Sequence, residues 1–209
     1  MNHAALKAAT LAALLTLAAG PTSAQGIIAE WGAVAPPPAP TLARVALDPA
    51  TTALLVLDLA EQTCNQQSRP RCLAMLPRVA KLLARAREKK WTVIYTLGAA
   101  SKPADILAPI AMLGTEPVVT APPDKFVGTN LEALLKERGI KTVVTVGAAS
   151  EGAVLHTAAT SAFRGFDVVV PVDGMASATL YAEQYVAWDL VNAPRLADRV
   201  KLSAIGMIE

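Results

Sequence analysis

Few residues in this chain have side chains able to act on a substrate, and they are unevenly placed. Asp58 closes the apolar run Ala53-Leu-Leu-Val-Leu-Asp58, Lys125 lies in the loop Pro122-Pro-Asp-Lys-Phe126, and the small residues Gly147 to Ala153 precede His156. An Asp after a strand either caps the following loop or serves as an acid or base aimed into a site. A loop Lys is ordinarily a solvated cation, but beside a carboxylate it stabilises developing negative charge. His156, one turn beyond Ala153, faces either a pocket or the helix surface and a neighbouring subunit. Asp173 follows another apolar run and is read as ordering its loop rather than as a chemical group.

Positioning these groups requires a frame, and the chain supplies one most openly from Thr142 to Asp173. Thr142 to Val146 is a β-branched run too short for a helix, which suits a strand buried on both faces. The small residues Gly147, Ala148, Ala149, Ser150, Gly152 and Ala153 then let a turn and the first helical turn approach whatever lies above the sheet. Ser150 is expected as the N-cap, with Glu151 near the positive end of the helix dipole. Val154, Ala158, Ser161 and Ala162 form a narrow packing face, Gly165 ends the helix, and Phe166 to Val172 returns as a parallel strand. Ligands of open parallel sheets bind at the carboxyl ends of strands, so the turn from Gly147 to Ala153 forms the floor of a site.

The stretch from Gly147 to Ala158, Gly-Ala-Ala-Ser-Glu-Gly-Ala-Val-Leu-His-Thr-Ala, resembles the Gly-Val-x-Thr-x-x-Cys-Val-x-x-Thr-Ala signature of the isochorismatase-like cysteine hydrolases. The strand ending in Asp58 and the run Lys125-Phe-Val-Gly-Thr129-Asn-Leu, similar to Lys-x-x-x-Gly-Thr-x-Leu, match the same family in order, so the resemblance covers Thr51 to Glu209. It implies a three-layer α/β sandwich with a mostly parallel sheet, a catalytic Asp58 and Lys125, and Ala153 where the family carries its nucleophilic Cys. The floor residues Gly147, Ala149, Ser150, Glu151 and Gly152, with His156, become substrate-binding candidates. The resemblance also implies a route without that Cys. Isochorismatases themselves lack it and hydrolyse a vinyl ether, which needs a proton delivered to carbon and water added to the resulting cation. The nicotinamidase branch uses a metal held by an Asp and histidines; here His156 is the one His beyond the leader, so neither metal nor organic cofactor is expected.

The rest of the chain sets compartment and class. Met1 to Ala24 has an early Lys7, an apolar run from Ala8 to Ala19 and a small-residue end, the layout of a secretory signal peptide. The run is shorter than the ~20 residues a bilayer span needs. Cleavage is expected near Gln25 or Gly26, followed by a Pro- and Ala-rich extended lead-in through residue 50 and one domain from 51 to 209. The expected localisation is periplasmic or secreted, with no membrane attachment after cleavage. The full chain has 19 Lys and Arg against 17 Asp and Glu; the leader holds one Lys and no acid, leaving 18 against 17. Near-neutrality without a basic cluster gives no case for nucleic acid. Cys64 and Cys72 flank Pro70 in one short stretch, and in an exported protein they predict a disulfide worth ~2–3 kcal/mol on the loop-entropy model. The rival, a metal pair, lacks neighbouring ligands.

Further elements are expected as a helix over 73–89, a strand over 91–97, a pocket cover over 98–123 with a short helix at 105–112, an amphipathic helix over 130–138, a helix over 181–191 and an edge strand over 199–208. Two functions fit these features: a hydrolase using Asp58 and Lys125 as an acid-base pair on a small molecule, or a catalytically inactive binding or scaffold protein on the same fold. A homo-oligomer is expected in either case.

Overall fold

The computed structural model describes residues 26–209, so the signal peptide expected over Met1 to Ala24 lies outside the described residues. Two compact units divide the chain at Pro37. In the first, a single helical turn α1 (Ile27–Glu30) runs into a 3-10 turn (Trp31–Ala33), and all its described residues up to Val34 are exposed.

The second unit is built on a parallel sheet. Its strands are β1 (Thr52–Leu57), β2 (Thr92–Leu97), β3 (Val118–Thr120), β4 (Thr142–Ala148), β5 (Asp167–Pro171), β6 (Met175–Ala176) and β7 (Val200–Ser203). The order is β3-β2-β1-β4-β5-β7, with β6 paired to β4. Every residue of β1 is buried, and its apolar side chains alternate between two helical layers. Helix α2 (Pro70–Glu88) covers one face through Met75, Val79, Leu82, Leu83 and Ala86. Helices α3 (Leu131–Glu137), α4 (Leu155–Phe163) and α5 (Leu180–Asn192) cover the other. The sandwich expected from the resemblance is the one observed.

The connections turn opposite ways on either side of the β1–β4 pair. The chain leaves β1 through α2 and lands on β2, whereas β4 leads through α4 to β5 on the far side. Such a switch point leaves a crevice at the carboxyl ends of the two strands. Leu57 and Gly147 are register partners there. Gly147 has φ +152°, and an added Cβ would run into the Leu57 carbonyl and stand 2.6 Å from Leu57 Cβ. Glycine is therefore what lets β1 and β4 lie so close at the crevice. β5 pairs with β4 over Thr142 to Val144 and then diverges towards β7, and β6 fills the vacated place beside Gly147 and Ala148.

Several expected boundaries shift, each for a local reason. α2 begins at Pro70, because proline is preorganised for a first helical position and has no N–H to lose there. Instead of a helix at 105–112 there are two 3-10 turns, Pro103–Asp105 and Ala108–Ile110, each with a proline (Pro103, Pro109) in its first two positions that offers no helical donor. The same stretch ends in β3, a three-residue edge strand too short for a periodic signal. The lead-in also divides. From Pro38 it belongs to the sheet unit: Ala43 N donates to Leu202 O (2.8 Å), Val45 N to Met207 O (3.0 Å) and Leu47 N to Glu209 O (3.1 Å). These bonds satisfy backbone groups beside β7 that an edge strand otherwise leaves open.

Candidate functional site

Asp58 stands one residue past β1 with φ 54°, a left-handed turn that lifts its side chain out of the strand's alternation. Its backbone N–H donates to Thr96 O on β2 (3.1 Å). Its carboxylate is held from two sides: Thr96 Oγ1 donates to Oδ1 at 2.9 Å and Lys125 Nζ to Oδ2 at 2.6 Å. Lys125 has no exposed surface and the Asp58 side chain only 12%, so solvent reaches the ion pair through Asp58.

The loop presenting Lys125 is fixed at both backbone ends. Thr129 Oγ1 donates to Lys125 O (2.6 Å), while Lys125 N donates to Thr157 Oγ1 (3.3 Å), whose hydroxyl donates to Pro123 O (3.3 Å). Asp124 accepts from Phe126 N (3.0 Å) and Thr160 Oγ1 (2.7 Å). Lys125 Nζ also donates to Ala121 O (3.3 Å), so two of its three ammonium donors have protein acceptors. Thr157 lies four residues beyond Ala153 and hence on the same helix face. It thus ties the lysine loop to the helix that begins in the turn after β4.

That turn is wider than expected. Ser150–Val154 is π-helical, Val154 N donating to Ala149 O and Leu155 N to Ser150 O. The N-cap is consequently Ala149 and not Ser150, and no side chain caps the end. Ser150 Oγ is fully buried without a hydrogen-bond partner. Ala149 and Gly152 are half-buried; Ala153 is buried and joins the apolar cluster containing Leu57, Phe126 and Met175. Exposed Glu151 reaches sideways, accepting from Ser177 Oγ at 2.5 Å. The Ser177 N–H in turn donates to Glu183, which Arg71 grips with two nitrogens.

The structure therefore brings Asp58 and Lys125 into direct contact and sets the Gly147–Ala153 turn beside them through the β1–β4 register and Thr157. It leaves His156 exposed on the outer side of α4, with no hydrogen bond to either. Asp173 orders its loop, as expected, accepting from Ile205 N at 2.8 Å. Cys64 and Cys72 are bonded and buried, pinning the loop after Asp58 to the start of α2. Two residues of the site were not anticipated. Thr96 is the polar residue near the carboxyl end of an apolar strand, a position that itself signals a site-facing hydroxyl; Thr157 lay inside the quoted motif without a role.

The segment from Gly98 to Pro123 runs close to this site. Ala60 forms an antiparallel bridge with Ile106, and Glu61 N donates to Asp105 O at 3.0 Å. The Lys102 N–H and Gln62 amide hold the Asp105 carboxyl below its usual range. Farther along, buried Tyr95 donates to Ile110 O (2.7 Å), and Arg87 bridges Tyr95, Ala111 O and Glu116. Burial pushes the Tyr95 hydroxyl up to about 12, against the neighbouring Arg87. Among the described residues, no group of three or more His, Cys, Asp or Glu is placed to hold a metal ion.

The model of the isochorismatase domain matches residues 52–198, which spans every one of these site residues. The chain belongs to the isochorismatase family. This isochorismatase-family chain is 33% identical over 110 residues to the uncharacterized isochorismatase family protein YrdC of Bacillus subtilis, a match to 47% of this chain and 59% of that relative's length. Among solved structures, an isochorismatase family protein from Desulfovibrio vulgaris superposes with a TM-score of 0.68 at 19% identity, covering 75% of this chain and 95% of the other. A cysteine hydrolase from Pseudomonas syringae pv. phaseolicola gives 0.68 at 16% identity over 80% and 95%. At such identities the structural likeness is one of fold.

Proposed function

We propose that this protein is an exported hydrolase of isochorismatase type that cleaves a small molecule through Asp58 and Lys125 without a covalent enzyme intermediate. The observation that carries the reading is the buried contact between Lys125 Nζ and Asp58 Oδ2 at the switch point of the sheet. Both Asp58 oxygens accept a hydrogen bond, an arrangement suited to a group that takes a proton from water. The water oxygen adds to the electrophilic carbon, Asp58 receives the proton, and the same proton then passes to the leaving group as its bond breaks. Lys125 stabilises the charge that develops, and backbone N–H groups of the turn after β4 supply further donors. Ala153 offers no atom for an acyl intermediate, which supports direct attack by water.

Export rests on the Met1–Ala24 leader together with the Cys64–Cys72 disulfide, a bond that persists in oxidising compartments. Since isochorismate metabolism is intracellular, the substrate of an exported enzyme is a different small molecule. The test is a broad hydrolase and ligand screen on the wild type, Asp58→Asn and Lys125→Ala. Turnover lost in both variants supports the mechanism, and turnover that survives both removes it. Ligand binding without any turnover in the wild type assigns the chain to the binding-protein reading instead.

A further inference from the structure

The proposed chemistry makes no use of the cleft between α2 and β6. It holds about 330 Å³, and neither Asp58 nor Lys125 lines it. Arg71, Met75 and Arg78 follow an i, i+4, i+7 spacing, so α2 turns one stripe of its surface into the cleft. Across from that stripe stand Val172, Asp173 and Ala176, and Glu183 enters from α5. The cleft lies on the α2 side of β6: Ala176 joins the apolar cluster of Met75, whereas Met175 joins that of Leu57 and Ala153.

Two ion pairs stand in this cleft, and they differ in kind. Arg71 is committed: its Nε and Nη2 donate to the two Glu183 oxygens at 2.7 and 2.5 Å, and the Ser177 N–H donates to the same carboxylate at 3.0 Å. Arg78 is open. Its Nε donates to the Asp173 backbone carbonyl at 3.2 Å but stands 3.9 Å from Asp173 Oδ2, beyond hydrogen-bond reach. Asp173 Oδ1 accepts from the Ile205 N–H, while Oδ2 and both terminal nitrogens of Arg78 have no hydrogen-bond partner among the described residues. Free guanidinium donors thus lie beside a free carboxylate oxygen, on side chains 51 and 32% exposed.

We propose that this cleft binds a free α-amino acid with an aliphatic side chain. Such a ligand carries its carboxylate and its ammonium on one carbon, a closeness that suits a guanidinium and a carboxylate oxygen held 3.9 Å apart. The α-carboxylate accepts from Arg78 Nη1 and Nη2, and the α-ammonium donates to Asp173 Oδ2, charge-assisted bonds at both ends. The balance of charge selects the class. Arg71 and Arg78 face Asp173 and Glu183, so a lone anion or a lone cation meets as much repulsion as attraction, whereas a zwitterion finds a partner for each end. The side chain lies on Met75, Val172 and Ala176, an apolar floor whose thioether adapts to the shape of an aliphatic chain. A volume near the lower limit of small-ligand sites, about 300 Å³, suits a single amino acid rather than a peptide.

Ligand-observed NMR titration of the purified, disulfide-bonded chain with L-leucine and with L-methionine tests this. The expected result is a Kd below about 1 mM for one or both. Isocaproate, which lacks the ammonium, and isoamylamine, which lacks the carboxylate, should each bind at least roughly tenfold more weakly than the amino acid. Arg78→Ala removes an exposed side chain, and Asp173→Asn keeps an acceptor for the Ile205 N–H, so both variants should melt close to wild type while raising Kd roughly tenfold or more. Asp58→Asn should bind as wild type does, which places the ligand outside the proposed catalytic site and keeps this result separate from the fate of that reading. Four results overturn the proposal: no binding of either amino acid at about 10 mM, isocaproate binding as tightly as leucine, unchanged affinity in Arg78→Ala, or loss of binding in Asp58→Asn.

Discussion

Removing one partner of the Asp58–Lys125 pair should be costly, and the cost should differ between the two partners. Breaking a buried ion pair from one side leaves an uncompensated charge and typically costs ~3–5 kcal/mol. Lys125 Nζ is wholly buried, with Ala121 O at 3.3 Å as its other acceptor, so Asp58→Leu strands an ammonium that water does not reach and belongs at the upper end, ~5 kcal/mol. Lys125→Met strands a carboxylate that keeps the Thr96 hydroxyl and a 12% solvent window, which places it nearer ~3 kcal/mol. Replacing both charges at once removes the stranded group, so Asp58→Leu with Lys125→Met should recover at least half of the larger loss. Urea unfolding at pH 7 of the disulfide-intact proteins measures all four stabilities. If Lys125→Met is neutral to within ~0.5 kcal/mol, or if the two losses simply add in the double variant, the pair is not the buried, coupled unit described above.

Gly147→Ala should cost about 3 kcal/mol or more, because its Cβ meets backbone of Leu57 that cannot yield; a stability near wild type in thermal melts would mean that β1 and β4 are not so closely apposed. Replacing Cys64 and Cys72 together by Ser should lose ~2–3 kcal/mol, read from urea midpoints, and native protein showing two free thiols by intact mass would contradict the pairing. The folded Tyr95 hydroxyl sits at about 12 against an ordinary 10, so the unfolded chain loses this proton first and folded stability falls as pH rises from 10 to 12. Allowing for solvent screening, that loss is about 1–2 kcal/mol, and Tyr95→Phe should show a correspondingly shallower alkaline decline in chemical denaturation. Thr96→Val should reduce turnover through Asp58 while leaving substrate affinity almost unchanged, and an unaltered rate would deny Thr96 its positioning role.

The sheet and the Asp58–Lys125 contact were legible in the sequence for a common reason. Apolar runs such as Ala53 to Leu57 permit one environment, a strand covered on both sides, and ordered motifs then assign what lies at their ends. What escaped reading depends on partners distant in sequence. Val118 to Thr120 is a strand because β2 offers it an edge, and Ala43 to Leu47 is ordered because residues 202 to 209 arrive beside it. Ser150 has the side chain of an N-cap, but its place in a π-turn follows from how closely the turn after β4 winds, which residue type alone does not encode.

The stitching of residues 43–47 to residues 202–209 also bears on when the chain can finish folding. Val45 exchanges hydrogen bonds with Met207 and Glu209, so residues far along the chain complete a ladder begun near the start of the sheet unit. Contacts so far apart in sequence form late, since loop-closure entropy must be overcome before they contribute. During synthesis the edge of the sheet stays open until residues 202–209 are available to pair with it. Under the export proposed here, that delay keeps the polypeptide in a form a translocation channel can thread, and the final lock closes on the far side of the membrane, where Cys64 and Cys72 meet their oxidant.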